Sequence, residues 1–268
     1  MVDACVRTRT HYLDITGEID VFEACAGRSN EAAAAGIMLL PGCGFDVVPS
    51  DCLAVHVASR LPDAVGLRLS ISLPGAASPG TMATGARQVA RISRARRNGK
   101  IVDLLAPTKG TADFGGGIRP TVGISWGDVS TAFYSTHIPD IDVEFEATPQ
   151  IAQLTSLPRF VRNMLGSTLG QRLLRAYVGS IRQVPDDEGS PGEACVVLGE
   201  ARSASGAVVR SRLRTKGAYW VTAQTAQLIA NKVLLGNAPV GFQTPALAYG
   251  EGLILEVAGS TIEDLGQN

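Results

Sequence analysis

The chain has 268 residues, 45% of them apolar and 18% charged, a composition that indicates a globular protein with a buried core rather than a disordered chain. Its 25 acidic and 24 basic residues nearly cancel, so no overall electric field favours a nucleic acid or an anionic membrane as partner. No secretion signal begins the sequence and no apolar run is long enough to cross a bilayer, so we expect a cytoplasmic protein without a transmembrane segment.

The first predicted elements begin a strand-helix-strand unit. Residues 3–7 are expected to end a helix, and Tyr12–Thr16 to form a short strand whose polar and apolar side chains alternate. Asp20 and Glu23 have the spacing of a capping box for the helix that follows. That helix is expected to continue through an alanine run and to end at Gly36 in a left-handed conformation.

A second strand and helix complete this unit. Ile37–Leu40 is continuously apolar, which is typical of a parallel strand that is covered on both faces. The sequence GCGFDVVPSD follows, and Pro49 suits the first turn of a helix that runs to Leu61. Open parallel sheets bind ligands at the carboxyl ends of their strands, so the polar turns after both strands are candidates for a binding crevice. Ordinary strand-to-helix turns contain the same residue types and are the alternative.

The chain changes in character after Pro62, and the remainder predicts an α+β domain with a mainly antiparallel sheet. The expected strands are Leu67–Leu73, Val129–Ser135, Ile141–Phe145, Ala194–Arg202 and Ala207–Arg214, of which the last two form a hairpin. The expected helices are Pro79 to about Arg94, part of residues 149–184, and Tyr219–Leu235. The predicted fold class is α/β, with part of a Rossmann-like parallel sheet in residues 1–62 and a substrate or dimerisation domain in residues 63–268.

Five cysteines include no C-x-x-C pair, so the sequence predicts reduced thiols and neither a disulfide framework nor a metal site. Cys52 and His56 lie one helical turn apart and could share a ligand, although core-facing side chains at this spacing are the commoner case.

Three stretches of the chain resemble the saccharopine dehydrogenase-like oxidoreductases, a family that includes trans-acting enoyl reductases. They are Thr10-His-Tyr-Leu-Asp-Ile-Thr-Gly-Glu18, Gly44-Phe-Asp-Val-Val-Pro-Ser-Asp51, and Gly217-Ala-Tyr-Trp-Val-Thr-Ala together with Gly241-Phe-Gln-Thr-Pro-Ala-Leu-Ala-Tyr-Gly250. The first two are similar to the family in order and spacing as well as in residue type. This resemblance implies a Rossmann domain, NAD or NADP as cofactor, and a mixed-sheet domain that covers a small-molecule substrate and often forms a homodimer.

The sequence departs from this family in one respect that bears on cofactor binding. No G-x-G-x-x-G fingerprint for a pyrophosphate is present. We therefore expect a family member without its amino-terminal half-domain, roughly 100 residues at the usual size of such units, through a late start codon, a deletion or a deliberately shortened form. Arg9 stands where we expect a glycine, and a non-glycine residue at a left-handed helix end costs about 1 kcal/mol.

The resemblance and the predicted sheet edge together give a set of candidate site residues, with no metal ligand among them. The expected cofactor-binding residues are Asp14, Thr16, Gly17, Glu18, Gly44 and Phe45. The candidates for proton transfer or substrate hydrogen bonds are Tyr12, Asp46, Ser50 and Asp51. For Ser50 and Asp51, helix capping is at least as good an interpretation.

A rival pattern is Gly123-Ile-Ser-Trp-Gly127, which matches the G-x-S-x-G motif of serine hydrolases. That motif requires a strand, a sharp turn and a helix, whereas the residues from Asp128 to Ser135 alternate as a strand does. The sequence also places His137 and Asp140 in the wrong order for that fold. We therefore expect an accidental match.

Two stretches are basic and contain no acidic residue: Arg87 to Lys100, with six cations, and Pro149 to Val184, with five arginines. Such surfaces suit a phosphopantetheine-bearing carrier, a coenzyme A ester or a membrane surface. A solvated helix face is the alternative and the more common case.

The sequence thus predicts an NAD(P)-dependent oxidoreductase, and an enoyl reductase acting on a lipid or polyketide substrate is the favoured subclass. Its substrate could be carrier-linked or linked to coenzyme A. The alternative is a cofactor-free dimerisation or scaffold module without activity.

Overall fold

The computed structural model describes residues 1–73, 93–147 and 194–266. Its helices are α1 (Val2–Thr8), α2 (Ile19–Ala26), α3 (Ser29–Ala35), α4 (Val48–Arg60), α5 (Asp128–Thr136), α6 (Ala218–Leu234), α7 (Pro245–Tyr249) and a 3₁₀ helix (Glu251–Glu256). Its strands are β1 (Tyr12–Leu13), β2 (Met38–Leu40), β3 (Ala64–Ser72), β4 (Arg94–Arg97), β5 (Lys100–Asp103), β6 (Lys109–Asp113), β7 (Ile118–Gly123), β8 (Asp140–Glu146), β9 (Cys195–Ser203), β10 (Val208–Thr215), β11 (Gly241–Phe242) and β12 (Thr261–Leu265). The helices predicted within residues 79–92 and 149–184 lie outside the described residues.

The first sheet is parallel and has the order β1-β2-β11. Tyr12 pairs with Leu39 on one side of β2, and Gly241 pairs with Met38 on the other. All three residues of β2 are buried, as the continuous apolar pattern predicts. The third strand comes from near the end of the chain, so residues far beyond position 62 complete this sheet. The division into domains at that position stays a prediction.

The first strand is shorter than expected because the Asp14 side chain ends it. Only Tyr12 and Leu13 pair with β2, and the Asp14 carboxylate then accepts hydrogen bonds from the Thr16 and Gly42 amides. These bonds replace the ladder bonds that a longer strand would make.

The predicted single helix from Asp20 to Gly36 is instead two helices, α2 and α3. Gly27 and Arg28 separate them, and the hydroxyl of Ser29 accepts a hydrogen bond from the Phe242 amide. Glycine favours such a break because it is a poor helix former. The left-handed end at Gly36 is confirmed, with φ of 72°.

A left-handed residue also ends α1, where the sequence places Arg9. Its φ of 54° and ψ of 46° lie in the left-handed region, where a glycine was expected from the sequence. The amides of Arg9 and Thr10 bond to the carbonyls of Val6 and Cys5 and close the helix end.

The capping box predicted for α2 is wrong. The helix begins at Ile19 after Glu18, and no side chain caps it. Asp20 bonds instead to the Arg94 guanidinium at 2.5 Å, and Glu23 to that of Arg96 at 2.8 Å. Both carboxylates bond to arginines of the mixed sheet and therefore do not cap the helix.

The second sheet is mixed and mainly antiparallel, as predicted, with the order β12-β10-β9-β3-β8-β4-β5. Strands β3 and β8 form its parallel pair, and the β6-β7 hairpin joins it through β7 and β8. Helix α4 covers one face so closely that a methyl group at Gly199 would lie 3.0 Å from Leu53 Cγ. The described residues form one large hydrophobic core there, which α4 and α6 share with both sheets. No helix within the described ranges has the length and apolar character needed to cross a bilayer.

The strand predicted at Val129–Ser135 is wrong, because residues 128–136 form helix α5. Its β-branched and aromatic residues favour a strand locally. Tertiary contacts decide otherwise: Ser130 and Tyr134, one turn apart, both donate to the Glu23 carboxylate on α2. Phe133 packs beneath the Arg96 guanidinium, 4.2 Å from its ring centroid.

The helix end predicted at Arg94 is wrong as well. Arg94, expected to end a helix, begins strand β4. Arg94, Arg96 and Arg97 pair with Asp20, Glu23 and Asp142 respectively. This part of the basic stretch is therefore neither a solvated helix face nor a free cationic surface. The second basic stretch lies outside the described residues.

Arg96 is the cation that joins the two sheets. Its side chain is 4% exposed and also donates to the carbonyls of Val129 and Gly99. Glu23 lies on the helix that follows β1, and Arg96 lies in β4 of the mixed sheet. A buried cation needs such complete satisfaction, because leaving it without its partner is costly.

Replacement of Glu23 tests this connection. We expect Glu23→Gln to lower the free energy of unfolding by about 3 kcal/mol, because it leaves the buried Arg96 without its anion. Glu31→Gln is the matched control: it removes the exposed pair with Arg28 and should change the free energy of unfolding much less than Glu23→Gln does. Urea denaturation measures both, and equal losses would contradict a special role for Arg96.

Candidate functional site

Asp14 organises the two polar turns at the carboxyl ends of β1 and β2. Its Oδ1 accepts the amides of Thr16 and Gly42 at 2.9 and 3.0 Å, and its carbonyl accepts that of Cys43 at 2.7 Å. Its Oδ2 accepts the Tyr12 hydroxyl at 2.5 Å. The turn at residues 14–18 and the turn at residues 42–47 are thereby fixed side by side. We call them the two edge turns.

Tyr12 is held in this network as a donor. Burial raises the pKa of its hydroxyl, and the bond to Asp14 and the charge of that carboxylate raise it further. A phenol that stays protonated and bonded to a neighbouring carboxylate orients that carboxylate rather than exchanging a proton with a substrate.

Asp46 lies where the edge turns meet. Its Oδ2 is so close to the first turn that a methyl group at Gly17 would lie 2.8 Å away. Burial raises the pKa of Asp46 to about 6, and the nearby charge of Glu18 adds to this rise. A carboxyl group with a pKa near 6 changes its protonation close to neutral pH, which suits a general acid or base.

Helix α6 supports the second edge turn through two threonines. The Phe45 amide donates to the Thr222 hydroxyl at 3.0 Å, and the Thr225 hydroxyl donates to the Cys43 carbonyl at 2.8 Å. Gly44 lies between them, where a methyl group would be 3.0 Å from Thr222 Cγ2 and 3.4 Å from Ile15 Cβ. Only glycine fits this close approach.

The structure places Ser50 and Asp51 beneath the edge turns, in the first turn of α4. Ser50 donates to the Val47 carbonyl, and Asp51 is fully buried. The Asp51 carboxylate accepts the Ser135 hydroxyl at 2.5 Å and the Ala246 amide at 2.8 Å. Burial raises the pKa of Asp51 and these bonds partly offset that rise. Asp51 thus ties together α4, α5 and α7.

The remaining cofactor candidates lie on the first edge turn. The Thr16 hydroxyl accepts the Glu18 amide at 3.2 Å, and Thr16, Gly17 and Glu18 are all partly exposed. The structure therefore brings together at one edge Asp14, Thr16, Gly17, Glu18, Gly44, Phe45 and Asp46.

The G-x-S-x-G stretch is a strand, turn and helix after all, because β7 ends at Gly123 and α5 begins at Asp128. The predicted strand at residues 128–135 is therefore wrong as an argument against a hydrolase, whereas the order of His137 and Asp140 in the chain still argues against one. The structure adds another reason: Ser125 is buried and accepts the Arg94 amide at 2.8 Å, while His137 lies at the far end of α5, roughly 15 Å along the helix.

The pairing of Cys52 with His56 around a ligand is wrong as well. The Cys52 thiol is buried and points to the Gly250 carbonyl, whereas His56 contacts Asp264 at 2.8 Å. Within the three described ranges, no group of three or more metal-ligating side chains is arranged to hold a metal ion.

Comparison with known proteins identifies the fold. Apo saccharopine dehydrogenase (L-Glu forming) from Saccharomyces cerevisiae is similar over 99% of this chain and 82% of its own, with a TM-score of 0.58 and 12% sequence identity. The chain has a saccharopine dehydrogenase-like fold. The predicted fold class is thereby confirmed. No known family model matches the sequence. An oxidoreductase from Bacillus cereus is similar over 98% of this chain, with a TM-score of 0.28 and 12% identity.

A sequence relative supports the same family. The trans-acting enoyl reductase of Mycobacterium leprae is 44% identical over 62 residues, which span 23% of this chain and 15% of that protein. Both comparisons agree with the saccharopine dehydrogenase-like family that the three sequence stretches indicate.

Three residues at this edge of the saccharopine dehydrogenase-like fold were missed by the sequence analysis. Thr222 lies within the third stretch that resembles the family, and that resemblance is the signal that could have identified it. Trp126, whose indole donates to the Asp46 carbonyl at 2.7 Å, lies in the G-x-S-x-G stretch that was set aside as an accidental match. The buried Asp128 begins the stretch that was wrongly predicted to be a strand.

Titration of Asp46 gives a test that needs no ligand. Because the pKa of Asp46 rises from 3.8 to about 6 on folding, the unfolded chain loses this proton first as the pH increases. Folding stability should therefore fall by about 2–3 kcal/mol between pH 4 and pH 7 through Asp46 alone. We expect Asp46→Asn to remove this part of the pH dependence, measured by urea denaturation. The exposed Asp63→Asn should leave it unchanged, and identical curves for both variants would refute the assignment.

Proposed function

We propose that this chain is part of a nicotinamide-dependent oxidoreductase whose reaction takes place at the two edge turns. One observation carries the proposal: the partly exposed first edge turn lies against Asp46, a carboxyl group that can hold or release a proton near neutral pH. Their position at the carboxyl edge of a parallel sheet is where open α/β sheets bind ligands. The likeness of the fold to saccharopine dehydrogenase supports it.

The described residues fit one end of a nicotinamide dinucleotide. Thr16, Gly17 and Glu18 on the first edge turn are partly exposed and would contact the cofactor, whereas Gly44 and Phe45 are buried and support the second turn. The glycine-rich fingerprint that holds a pyrophosphate does not occur in this sequence. The residues present would thus hold the nicotinamide end, and the choice between NAD and NADP depends on groups outside this set.

The bound cofactor supplies or accepts a hydride, and the protein's own task is to place the substrate and manage one proton. Asp46 is the residue that we assign to this task. Asp14 aligns both turns and Tyr12 fixes Asp14, whereas Ser50 and Asp51 stabilise the base of the site. Thr222 and Trp126 hold the backbone on either side of Asp46 and thereby set its position.

Reduction of an activated double bond is the reaction subclass that we favour, because the sequence relative is a trans-acting enoyl reductase. A hydride added to one carbon of such a bond requires a proton at the other, which Asp46 can provide. We further propose a small-molecule substrate, carried by a protein or by coenzyme A, a homodimer and a cytoplasmic location. The carrier is supported less than the sequence suggested, since Arg94, Arg96 and Arg97 are already paired.

Cofactor binding is the first test. NADH and NADPH are titrated separately into the protein while the cofactor fluorescence is recorded. We expect a saturable change with one of them. Asp46→Asn should bind the same cofactor, since it changes the proton donor and not the backbone. No change at millimolar concentrations of either cofactor would refute the proposal and favour the cofactor-free scaffold module.

The pH dependence of turnover is the second test. If Asp46 donates the proton, kcat for reduction of an enoyl thioester should fall as the pH rises through about 6, where Asp46 loses its proton. Asp46→Asn should lower kcat by about 100-fold or more and abolish this dependence. Retention of the same pH profile by this variant would exclude Asp46 as the acid.

A further inference from the structure

Asp128 begins helix α5 and is wholly buried, yet among the residues described neither of its carboxylate oxygens has a hydrogen-bond partner. An ionised carboxylate in such a place is strongly unfavourable, because it has lost water and gained no donor. Burial raises the pKa of Asp128 well above its usual value. The Ser50 hydroxyl partly offsets this, and the charges of Asp51 and Asp46 raise it further.

Asp51 is a fully buried carboxylate that, unlike Asp128, has hydrogen-bond partners within the described part of the chain. One oxygen accepts the Ser135 hydroxyl and the other accepts the Ala246 amide. Two neighbouring aspartates therefore differ in their surroundings: Asp51 accepts two short hydrogen bonds, whereas the Ser50 hydroxyl near Asp128 donates to the Val47 carbonyl. Asp128 is suited to the neutral acid form only.

Asp128 is also joined to the candidate site through the two residues before it. The Trp126 indole donates to the Asp46 carbonyl at 2.7 Å. A methyl group at Gly127 would lie 3.2 Å from the Gly17 carbonyl and 2.8 Å from the Phe22 ring, so this backbone is pressed against the first edge turn. Residues 126–128 contact both edge turns, and we call them the edge clamp.

We propose that Asp128 is a positioning residue, whose uncharged carboxyl allows the edge clamp to pack against the turns that carry Gly17 and Asp46. The clamp in turn keeps water away from Asp46. The inference rests on the proposed function only for the role of Asp46. Its tests use neither cofactor nor substrate. The positioning role can therefore fail while the proposed function stands, and the proposed function can fail while the positioning role stands.

Other charges around the clamp argue against an ionised Asp128. Glu18 and Asp46 lie on the edge turns and Asp51 lies on α4, all of them acidic. Glu23 on α2 is acidic too, but Arg96 pairs with it. A negative charge on Asp128 would thus meet the carboxylates of Asp51 and Asp46 and would favour separation of α5 from the edge turns.

The amide variants of the two buried aspartates test the charge state. Asp128→Asn replaces a neutral acid by a neutral amide of the same shape, so the melting temperature at pH 7 should be unchanged or higher. Its advantage over the wild type should grow with pH, because the unfolded chain ionises Asp128 at about pH 4 and the folded chain does so only at higher pH. Asp51→Asn loses an acceptor and should melt about 5 °C lower. If Asp128→Asn melts as low as Asp51→Asn, the proposal is wrong.

Infrared spectroscopy observes the proton directly. At pH 7 the wild type should show the carbonyl band of a protonated carboxylic acid, and Asp128→Asn should have lost this band. Identical spectra of the two proteins would overturn a neutral Asp128.

The positioning role needs a measurement that simple loss of packing would not change. Nuclear magnetic resonance follows the titration of Asp46 in the wild type, Asp128→Asn and Asp128→Ala, each below its melting temperature. We expect a midpoint near 6 in the first two and a lower one in Asp128→Ala, because water reaches Asp46 once the clamp loosens. The Trp126 indole resonance should shift in Asp128→Ala only.

Asp128→Ser replaces the alanine variant if that does not fold, with the same expected shift in the Asp46 midpoint. An unchanged Asp46 midpoint and indole resonance in a destabilised variant would show that Asp128 only fills space, and would refute the positioning role.

Discussion

The Asp14 carboxylate is the constraint on which the candidate site depends. One residue accepts hydrogen bonds from a side chain on its own strand, from an amide two residues ahead and from an amide on the neighbouring turn. A strand of only two paired residues makes too few hydrogen bonds to hold the residues that follow it. The Asp14 carboxylate holds residues 14–18 in place instead, through its bonds to backbone amides. Glycines at positions 17 and 44 can then approach other groups closely because the backbone around them is already held.

The surroundings of this network come from distant parts of the chain. Thr222 and Thr225 on α6 bond to the second edge turn, and Trp126 bonds to the Asp46 carbonyl from the start of α5. The Glu23–Arg96 pair joins α2 to the mixed sheet beneath. The saccharopine dehydrogenase-like fold therefore surrounds one small polar edge from three sides. The contacts of Thr222, Thr225 and Trp126 act on backbone rather than on a reactive group, which leaves the Asp46 side chain able to titrate.

Local patterns predicted much of the fold. The continuous apolar run at 37–40 and the alternating hairpin around residues 203–206 form where expected, since burial on one or both faces fixes them. The stretch at 128–136 does not, because its β-branched residues favour a strand while Glu23 and Arg96, distant in sequence, stabilise a helix. The capping box fails for the same reason, as arginines some 70 residues away take both carboxylates.

The sequence predicted that the two edge turns lie together, but not how deeply the carboxylates around them are buried. The turns at residues 14–18 and 42–47 come together because parallel strands end at a common edge, which the sequence pattern contains. The separation of Asp46, which is partly exposed, from Asp51, which is wholly enclosed, depends on what covers each one. The sequence places them five positions apart and holds no sign of their different depth. The sequence did not indicate that Asp128 is buried beside the site, because its segment was predicted to be a strand and forms helix α5.

The position of β11 bears on how this protein is made. Met38 pairs with Gly241, about 200 positions later in the chain, so the parallel sheet closes only after long-range contacts form. During synthesis the fully apolar β2 leaves the ribosome long before the strand that covers its second edge. The nascent chain thus carries an uncovered hydrophobic β-edge through most of translation and is open to aggregation until β11 pairs with it.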